Sequence, residues 1–327
     1  MRVDLGPAVP MAGLYDSRFH EMEASANGES YRIFVGGPAS PFVGGAEADQ
    51  GQKYPVIYVL DGKLGFAMVH AQCQVLSALG QLPPVYVVGI GYAGDESFFE
   101  KDVVHRYRDL TPDAGGALER AMLGLNTVSR DGEKGAPGGG PAFLAFLRDE
   151  LKPAIEAAYP VDPGDATLLG NSLGGLFPSW ILFNQPELFQ RYVIISPSWW
   201  WNDYEMWRWE QAYADRHDDL AAKVFVAAGG LETLELQRAM VERLGQAVEG
   251  EMKSRFDAFL EAVKIYGWPR MVELMPEFAA KLASRSNESL DLLVIDLPEE
   301  THESIPGAAF SRGLRFVFGA WRPAKAA

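Results

Sequence analysis

The sequence is poor in cysteine and has no long apolar segment. Its 327 residues include one cysteine, Cys73, so an internal disulfide is impossible and nothing in the chain requires an oxidising compartment. No apolar run approaches the roughly 20 residues that span a bilayer, and the first residues show no apolar signal-peptide core. We therefore expect a cytoplasmic protein, in which Cys73 is a small core residue of a helix.

Positive charge is also scarce. There are 29 Lys and Arg against 44 Asp and Glu, for a net charge of -15. Nucleic acids and anionic membranes bind clustered Lys and Arg, so the composition argues against both as partners. The five histidines are scattered without metal-site spacing. The glycine run 138–140 is not followed by Gly-Lys-Ser/Thr, so it is no phosphate-binding loop. We expect no metal and no cofactor.

Apolar, strand-like runs alternate with helical patterns along the chain. Such runs occupy residues 56–60, 85–90, 166–169, 192–195, 224–227 and 290–295. This alternation is typical of the α/β class, with a mostly parallel central sheet and helices on both faces. We predict a single domain over residues 1–327, with a helical elaboration at approximately 235–285. Residues 31–35 are predicted to form an edge strand. Residues 92–141 are predicted to be a long irregular loop over the site.

A serine turn follows one of the predicted strands. Residues 170–174 read Gly-Asn-Ser-Leu-Gly, between the strand 166–169 and a helical pattern. A serine at a tight strand-to-helix corner has a strained backbone, and a side chain two residues before or after it would collide with the adjacent strand or helix. The helix N-terminus directs N–H groups and a positive dipole end at the site. Ser172 is therefore the predicted nucleophile, and the N–H of Leu173 the predicted oxyanion donor.

The base and the acid should follow the serine, since this type of site has the chain order Ser, acid, His. Of the two later histidines, His217 lies in a charged run typical of a surface turn, whereas His302 lies between the last strand and the last helix. We predict that His302 is the base. Glu232 follows a strand and a glycine turn and is the preferred acid, with Glu235 and Asp203 as alternatives.

Three further groups of residues are predicted to contact the substrate or the reacting ester group. The turn after an early strand, at Gly62 and Lys63, is expected to give the second oxyanion N–H. Arg106 and Arg108 could hold an anionic or catecholate group by bidentate contacts, or could pair with Asp102 or Asp109 instead. Three adjacent tryptophans follow a central strand, and we expect at least one to form a wall of the substrate pocket; they are Trp199, Trp200 and Trp201.

Five sequence blocks resemble a known family, the putative esterases of the esterase D group within the α/β-hydrolases, and within it the ferric-siderophore (enterobactin-type) esterases. The blocks are residues 54–62 (YPVIYVLDG), 106–112 (RYRDLTP), 170–177 (GNSLGGLF), 196–201 (SPSWWW) and 301–304 (THES). The resemblance implies an α/β-hydrolase fold and a serine esterase working through Ser172 and His302, with Glu232 at the acidic position. It also implies that the 106–112 block lies near the active site.

The substrate is less well specified than the reaction. The resemblance implies a small-molecule ester, including a catecholate trilactone of the siderophore type. The helical stretch from about residue 235 to residue 268 is longer than the family leads us to expect. Alternatives on the same machinery are a thioesterase, a feruloyl-type esterase or an acyltransferase, and a different class is a non-catalytic binding protein. The acidic helical stretch could instead support a homodimer.

Overall fold

The computed structural model describes residues 9–10, 14–39, 51–96, 101–126 and 136–320. Within these ranges one sheet contains nine strands in the order β1-β2-β3-β5-β4-β6-β7-β8-β9. The strands are β1 (Val9–Pro10), β2 (Ser17–Glu23), β3 (Ser30–Gly36), β4 (Tyr54–Val59), β5 (Tyr86–Tyr92), β6 (Val161–Asn171), β7 (Arg191–Ile195), β8 (Lys223–Gly229) and β9 (Asp291–Leu297).

The six strands from β4 to β9 are parallel to one another, and the first three strands add to them in antiparallel fashion. The predicted mostly parallel sheet is confirmed. The prediction that residues 31–35 form an edge strand is wrong, because β3 lies between β2 and β5. The sequence of β2, Ser-Arg-Phe-His-Glu-Met-Glu, is largely polar and gives little strand signal. Its strand conformation depends on pairing with β3.

Twelve α-helices are present in the described part of the chain. They are α1 (Gly62–Ala78), α2 (Val103–Asp109), α3 (Ala117–Asn126), α4 (Gly140–Phe146), α5 (Lys152–Ala158), α6 (Leu173–Asn184), α7 (Trp201–Tyr204), α8 (Met206–Ala214), α9 (Leu234–Gln246), α10 (Gly250–Tyr266), α11 (Leu274–Ala283) and α12 (Ile305–Val317).

The two faces of the sheet carry different helices. Helices α1 and α12 cover one face, where the buried Cys73 packs with Phe66 and Val69, as expected for a core cysteine. The other face packs against α4, α5, α6, α8, α10 and α11. The predicted covering of both faces by helices is therefore confirmed. Of the described helices, none is both long and apolar enough to cross a membrane.

The segment 92–141 is more regular than predicted. Helices α2 and α3 lie within it, so the prediction of one irregular loop is wrong for residues 103–109 and 117–126; residues 97–100 and 127–135 lie outside the described ranges. Both helices are short and are held by tertiary contacts: α2 packs on α4, and α3 packs on α10. Isolated helices of this length are marginal in water, which explains the weak local signal.

The predicted helical elaboration is confirmed between β8 and β9. It consists of α9, α10 and α11, and α10 contacts both α9 and α3. Residues 268–269 (Trp-Pro) separate α10 from α11, as the sequence indicated.

Candidate active site

The backbone at Ser172 has the strained geometry expected of a serine turn. Ser172 lies between β6 and α6 with φ 63° and ψ -120°, a region that non-glycine residues rarely adopt. A Cβ atom on Gly170 would lie 1.8 Å from the carbonyl oxygen of Gly174, and one on Gly175 would lie 2.9 Å from that of Ile195. Glycine is therefore required where the turn passes closest to its neighbours.

Glu232 and His302 are in direct contact, although 70 residues separate them. His302 Nδ1 lies 2.6 Å from Glu232 Oε2. An ionised carboxylate can only accept, so Nδ1 carries the proton and Nε2 is left as an acceptor. Glu232 is fully buried, whereas His302 is partly exposed. The other carboxylate oxygen, Oε1, accepts hydrogen bonds from Ser196 Oγ at 2.5 Å and from the N–H of Gly229 at 2.7 Å.

The close approach of the two loops explains this contact. The N–H of Gly230 donates to the carbonyl of Leu297, and the N–H of Leu231 donates to that of Glu300. A Cβ on Gly230 would lie 2.5 Å from the backbone of Pro298, so a larger residue would push the loops apart. The glycine turn after β8 thus carries Glu232 to the loop that holds His302.

The three alternative residues lie elsewhere. Glu235 is on the first turn of α9 and faces a separate surface depression with Arg238 and Glu242. Asp203 lies in α7 with φ 54°. His217 stacks on the ring of Tyr213, 4.2 Å between centroids, and its Nδ1 lies 3.0 Å from the carbonyl of that residue.

Ser172 and His302 open onto the same cavity, which has a volume of about 850 Å³. Its apolar wall comes from α1, α2 and α12, and its polar residues surround the serine. The described lining residues are Leu60, Asp61, Leu64, Gly65, Met68, Val103, Arg106, Tyr107, Leu169, Gly170, Asn171, Ser172, His302, Glu303, Ser304, Pro306, Gly307 and Phe310.

The predicted oxyanion residues begin two helices at this cavity. Leu173 is the first residue of α6, and Gly62 and Lys63 are the first residues of α1. First-turn N–H groups have no acceptor within their own helix, and they carry the positive end of the helix dipole. A Cβ on Gly62 would lie 2.6 Å from the backbone nitrogen of Ile90. Glycine therefore lets this turn pack directly on β5.

Arg106 reaches the cavity but is already paired with a carboxylate. Its Nε and Nη2 donate to the two oxygens of Asp61 at 2.9 and 2.8 Å, and Nη2 lies 3.4 Å from the carbonyl of Asn171. The sequence suggested Asp102 or Asp109 as partners, whereas the observed partner is Asp61. Burial opposes the charge, but Asp61 outweighs it, so the pKa of Arg106 is raised and the guanidinium stays protonated.

Arg108 and Lys63 are also paired. Arg108 Nε donates to Asp109 Oδ1 at 2.7 Å and Nη2 donates to Glu29 Oε2 at 2.9 Å. Lys63 Nζ donates to Asp102 at 3.0 Å. Arg108 is not among the described residues that line the cavity. The structure therefore places the guanidinium of Arg108 in a network with Asp109 and Glu29 and not at the position expected for a substrate contact.

The tryptophan run is packed inside the protein. Trp199 and Trp201 are fully buried and Trp200 is 4% exposed, and none is among the described lining residues. The indole of Trp199 donates to Ser179 Oγ at 2.8 Å and that of Trp201 to Asp113 at 3.0 Å. Trp200 packs edge-on against Trp268, 5.8 Å between centroids. The tryptophan run thus joins the sheet to α6 and to the segment carrying α3. This burial corrects the expectation that at least one of the three tryptophans forms a wall of the substrate pocket.

Two contacts at the candidate site carried little sequence signal. Asp61 was noted only as part of a turn, and its left-handed backbone, φ 51°, positions it before α1 where it meets Arg106. Ser196 follows β7 and contacts Glu232. Their positions after parallel strands, at the sheet edge where ligands bind in α/β folds, could have identified both as candidates.

Among the described residues no His, Cys, Asp and Glu cluster is arranged to hold a metal ion.

Comparison with known proteins identifies the class. The family described as Putative esterase matches residues 124–262. The chain is 30% identical to the ferri-bacillibactin esterase BesA of Bacillus subtilis over 271 residues, covering 79% of this chain and 87% of BesA. It is 27% identical to the siderophore enterobactin esterase of Emericella nidulans, covering 71% of each chain. The crystal structure of the BES protein from Bacillus cereus superimposes with a TM-score of 0.68 at 26% identity, covering 94% of this chain and 97% of that one.

The fold is that of the α/β-hydrolases, and the protein is a carboxylic ester hydrolase of the serine hydrolase class. The chain belongs to the putative esterase family. Siderophore esterases are among the relatives of this chain. The predicted fold class, family and enzyme class are confirmed.

Proposed function

We propose that this protein hydrolyses carboxylic esters through an acyl-serine intermediate formed on Ser172, with His302 as base and Glu232 as acid. The observation that carries this proposal is the Glu232–His302 hydrogen bond of 2.6 Å beside the cavity that Ser172 shares. The orientation of the imidazole, with Nδ1 toward the carboxylate, leaves Nε2 to serve the serine.

The reaction follows from this arrangement. Ser172 Oγ attacks the ester carbonyl carbon while His302 Nε2 takes its proton, and the buried carboxylate of Glu232 stabilises the resulting imidazolium. The imidazolium then gives its proton to the leaving alkoxide, so that the C–O ester bond breaks and an acyl-serine remains. Water attacks the acyl carbon with His302 again as base, which releases the acid and restores the serine hydroxyl.

The oxyanion of each tetrahedral intermediate needs donors that are fixed before the reaction. We assign this role to the N–H of Leu173 and to the N–H of Gly62 or Lys63, at the N-termini of α6 and α1. Arg106 adds a fixed positive charge beside this position, because Asp61 holds the plane of its guanidinium in the cavity wall. It is suited to an anionic group of the substrate or to charge that develops during the reaction.

For the substrate we propose an ester of the siderophore type. Relatives include esterases named for ferri-bacillibactin and enterobactin, and a cavity of about 850 Å³ is large for a small ester. Its wall is apolar at Leu64, Met68 and Phe310 and carries the paired Arg106 and Asp61. An enterobactin-type trilactone should be opened with release of its linear acid. A substrate panel with thioesters, feruloyl esters and alcohol acceptors, analysed by mass spectrometry of the products, tests this choice.

The test of the reaction itself is Ser172→Ala. The variant should lose at least about a thousandfold in kcat on p-nitrophenyl esters and should resist labelling by a fluorophosphonate probe. Ser286→Ala, on a surface turn before β9, is the matched control. Wild-type hydrolysis by the Ser172→Ala protein would refute the proposal.

We also propose a cytoplasmic location and a homodimer, in line with the sequence. Exposed apolar side chains at Leu236, Met240 and Leu244 share one face of α9. Light scattering of the full chain, with these three changed to Ser as a comparison, tests the dimer. Fractionation of cells tests the location.

A further inference from the structure

The turn Ser196-Pro197-Ser198 contacts both ends of the proposed catalytic group. It follows β7 directly. Ser196 Oγ donates to Glu232 Oε1 at 2.5 Å. Two residues later, the N–H of Ser198 donates to the carbonyl of Ser172 at 3.1 Å. The Oγ atoms of Ser198 and Ser172 are 3.5 Å apart. One short turn thus lies between the acid and the nucleophile.

The backbone at Ser196 is held in an unusual conformation. Its φ of 38° lies in the left-handed region, which is uncommon for residues other than glycine. The N–H of Ser196 donates to the carbonyl of Ala227 at 2.7 Å, which fixes the end of β7 against β8. Strained residues of this kind persist where the surrounding structure holds them, and they cluster at functional sites. Here the strained turn directs the Ser196 hydroxyl at the carboxylate.

Burial makes the hydroxyl of Ser196 important to Glu232. Both residues are fully buried, and a buried carboxylate needs hydrogen-bond donors to stay ionised. Oε1 receives Ser196 Oγ and the N–H of Gly229, and this leaves Oε2 to His302. Without the Ser196 hydroxyl, Oε1 retains the Gly229 N–H, and the carboxylate can rotate about its terminal bond.

We infer that Ser196 is a positioning residue that keeps the carboxylate of Glu232 oriented toward His302. The inference rests on the proposed role of Glu232 as the acid. Ser196 is fully buried and is not among the described residues that line the cavity, so its hydroxyl acts through the carboxylate.

The test compares Ser196→Ala with Ser196→Gly in the full chain. Both substitutions remove the hydroxyl. Glycine adopts a positive φ without strain, whereas alanine retains the backbone strain at this position. Ser179→Ala is the matched control, because Ser179 is another fully buried serine whose hydroxyl bonds Trp199 and the carbonyl of Gly175. Thermal unfolding establishes that each variant folds, and p-nitrophenyl ester hydrolysis is followed across substrate concentrations to give kcat and KM.

We expect kcat to fall by about tenfold to a hundredfold in both Ser196 variants, the range of losing one hydrogen bond to a charged group, with KM nearly unchanged. A merely structural role would not separate kcat from KM in this way. The control should keep wild-type kcat and KM.

Two results would overturn the inference. If Ser196→Gly is fully active and only Ser196→Ala is impaired, the backbone matters and the hydroxyl does not. If both variants lose activity only in proportion to lost folded protein, so that kcat per folded molecule is unchanged, Ser196 is merely structural. Glu232→Gln separates these outcomes from failure of the proposed function: if that variant is fully active, Glu232 is not the acid.

Discussion

Glu232 Oε2 and His302 Nδ1 lie 2.6 Å apart, at the ends of two adjacent loops that follow β8 and β9. Glu235, three residues along the chain from Glu232, lines a different surface depression with Arg238 and Glu242. Because a buried carboxylate beside an imidazole stabilises the imidazolium, the two glutamates should differ sharply in their effect on catalysis.

Glu232→Gln should lower kcat by about a hundredfold or more, since the amide presents a wrong or weakened acceptor to Nδ1–H. Glu235→Gln should stay within about twofold of the wild type. Steady-state kinetics on one ester, with circular dichroism to establish folding, measures both. Equal losses in the two variants would show that the acid has been assigned incorrectly.

The glycine at the start of the serine turn should be intolerant of a side chain. In Gly170→Ala the new Cβ would lie 1.8 Å from the carbonyl oxygen of Gly174, which is backbone and cannot rotate away. We expect loss of at least about 3 kcal/mol of unfolding free energy. Denaturant titration measures it. Gly164→Ala is the control, because its Cβ would meet only a side-chain atom at 3.5 Å; similar losses in both variants would contradict this explanation.

The Arg106–Asp61 pair should matter for both activity and folding. Arg106→Lys keeps the charge but cannot reproduce the two parallel contacts to one carboxylate. We expect kcat/KM to fall by at least about tenfold. Asp61→Asn should have a comparable effect, and the double variant should lose less than the sum, since the residues act together. Arg148→Lys, in an exposed pair with Asp149, is the control, and additive losses would argue against the coupling.

The network of Arg108, Asp109 and Glu29 should make the stability of the fold depend on pH in the acid range. Burial alone would raise the pKa of Glu29, but hydrogen bonds from His105 and Arg108 outweigh it and lower the pKa from 4.5 to about 2. A lowered pKa stabilises the fold above the unfolded-state value, and this stability is lost as pH falls from about 4.5 to about 2.

Glu29→Gln is the corresponding variant. Its unfolding free energy should be lower than that of the wild type at pH 7, and the difference should shrink as the pH approaches 2. Urea titrations between pH 2 and pH 7 measure this. An unchanged difference across that range would exclude titration of Glu29 as the cause.

The packed tryptophans should affect stability and not substrate choice. Trp201→Phe removes the hydrogen bond to Asp113 and should cost about 1–3 kcal/mol, with KM unchanged. Met68→Ala, in the cavity wall and 41% exposed, should raise KM at little cost in stability. Thermal unfolding and kinetics on long-chain esters separate the two effects. A changed substrate preference in Trp201→Phe would contradict this prediction and indicate that the tryptophan run contacts the substrate.

The features predicted correctly from the sequence are those that depend on local sterics or chain order. A glycine-flanked serine between a strand and a helix needs only the neighbouring residues to define its turn, and the observed φ of Ser172 agrees with it. The parallel sheet and the elaboration after β8 followed from periodicity and length. The limits of the single domain, the cytoplasmic location and the homodimer stay predictions.

The tertiary structure decided which side chains meet. Arg106 pairs with Asp61, 45 residues earlier, and Glu232 is brought to His302 by glycines that allow two loops to touch. The adjacent tryptophans are buried because they pack against α6, α11 and the segments before α3 and after α10, which no local pattern records. The sequence by itself determined the reaction class, since a serine turn is a local structure. The carboxylate that contacts His302, the partner of the arginine and the wall of the pocket were decided only when distant segments packed together, because hydrogen bonds and burial depend on distance in space and not along the chain.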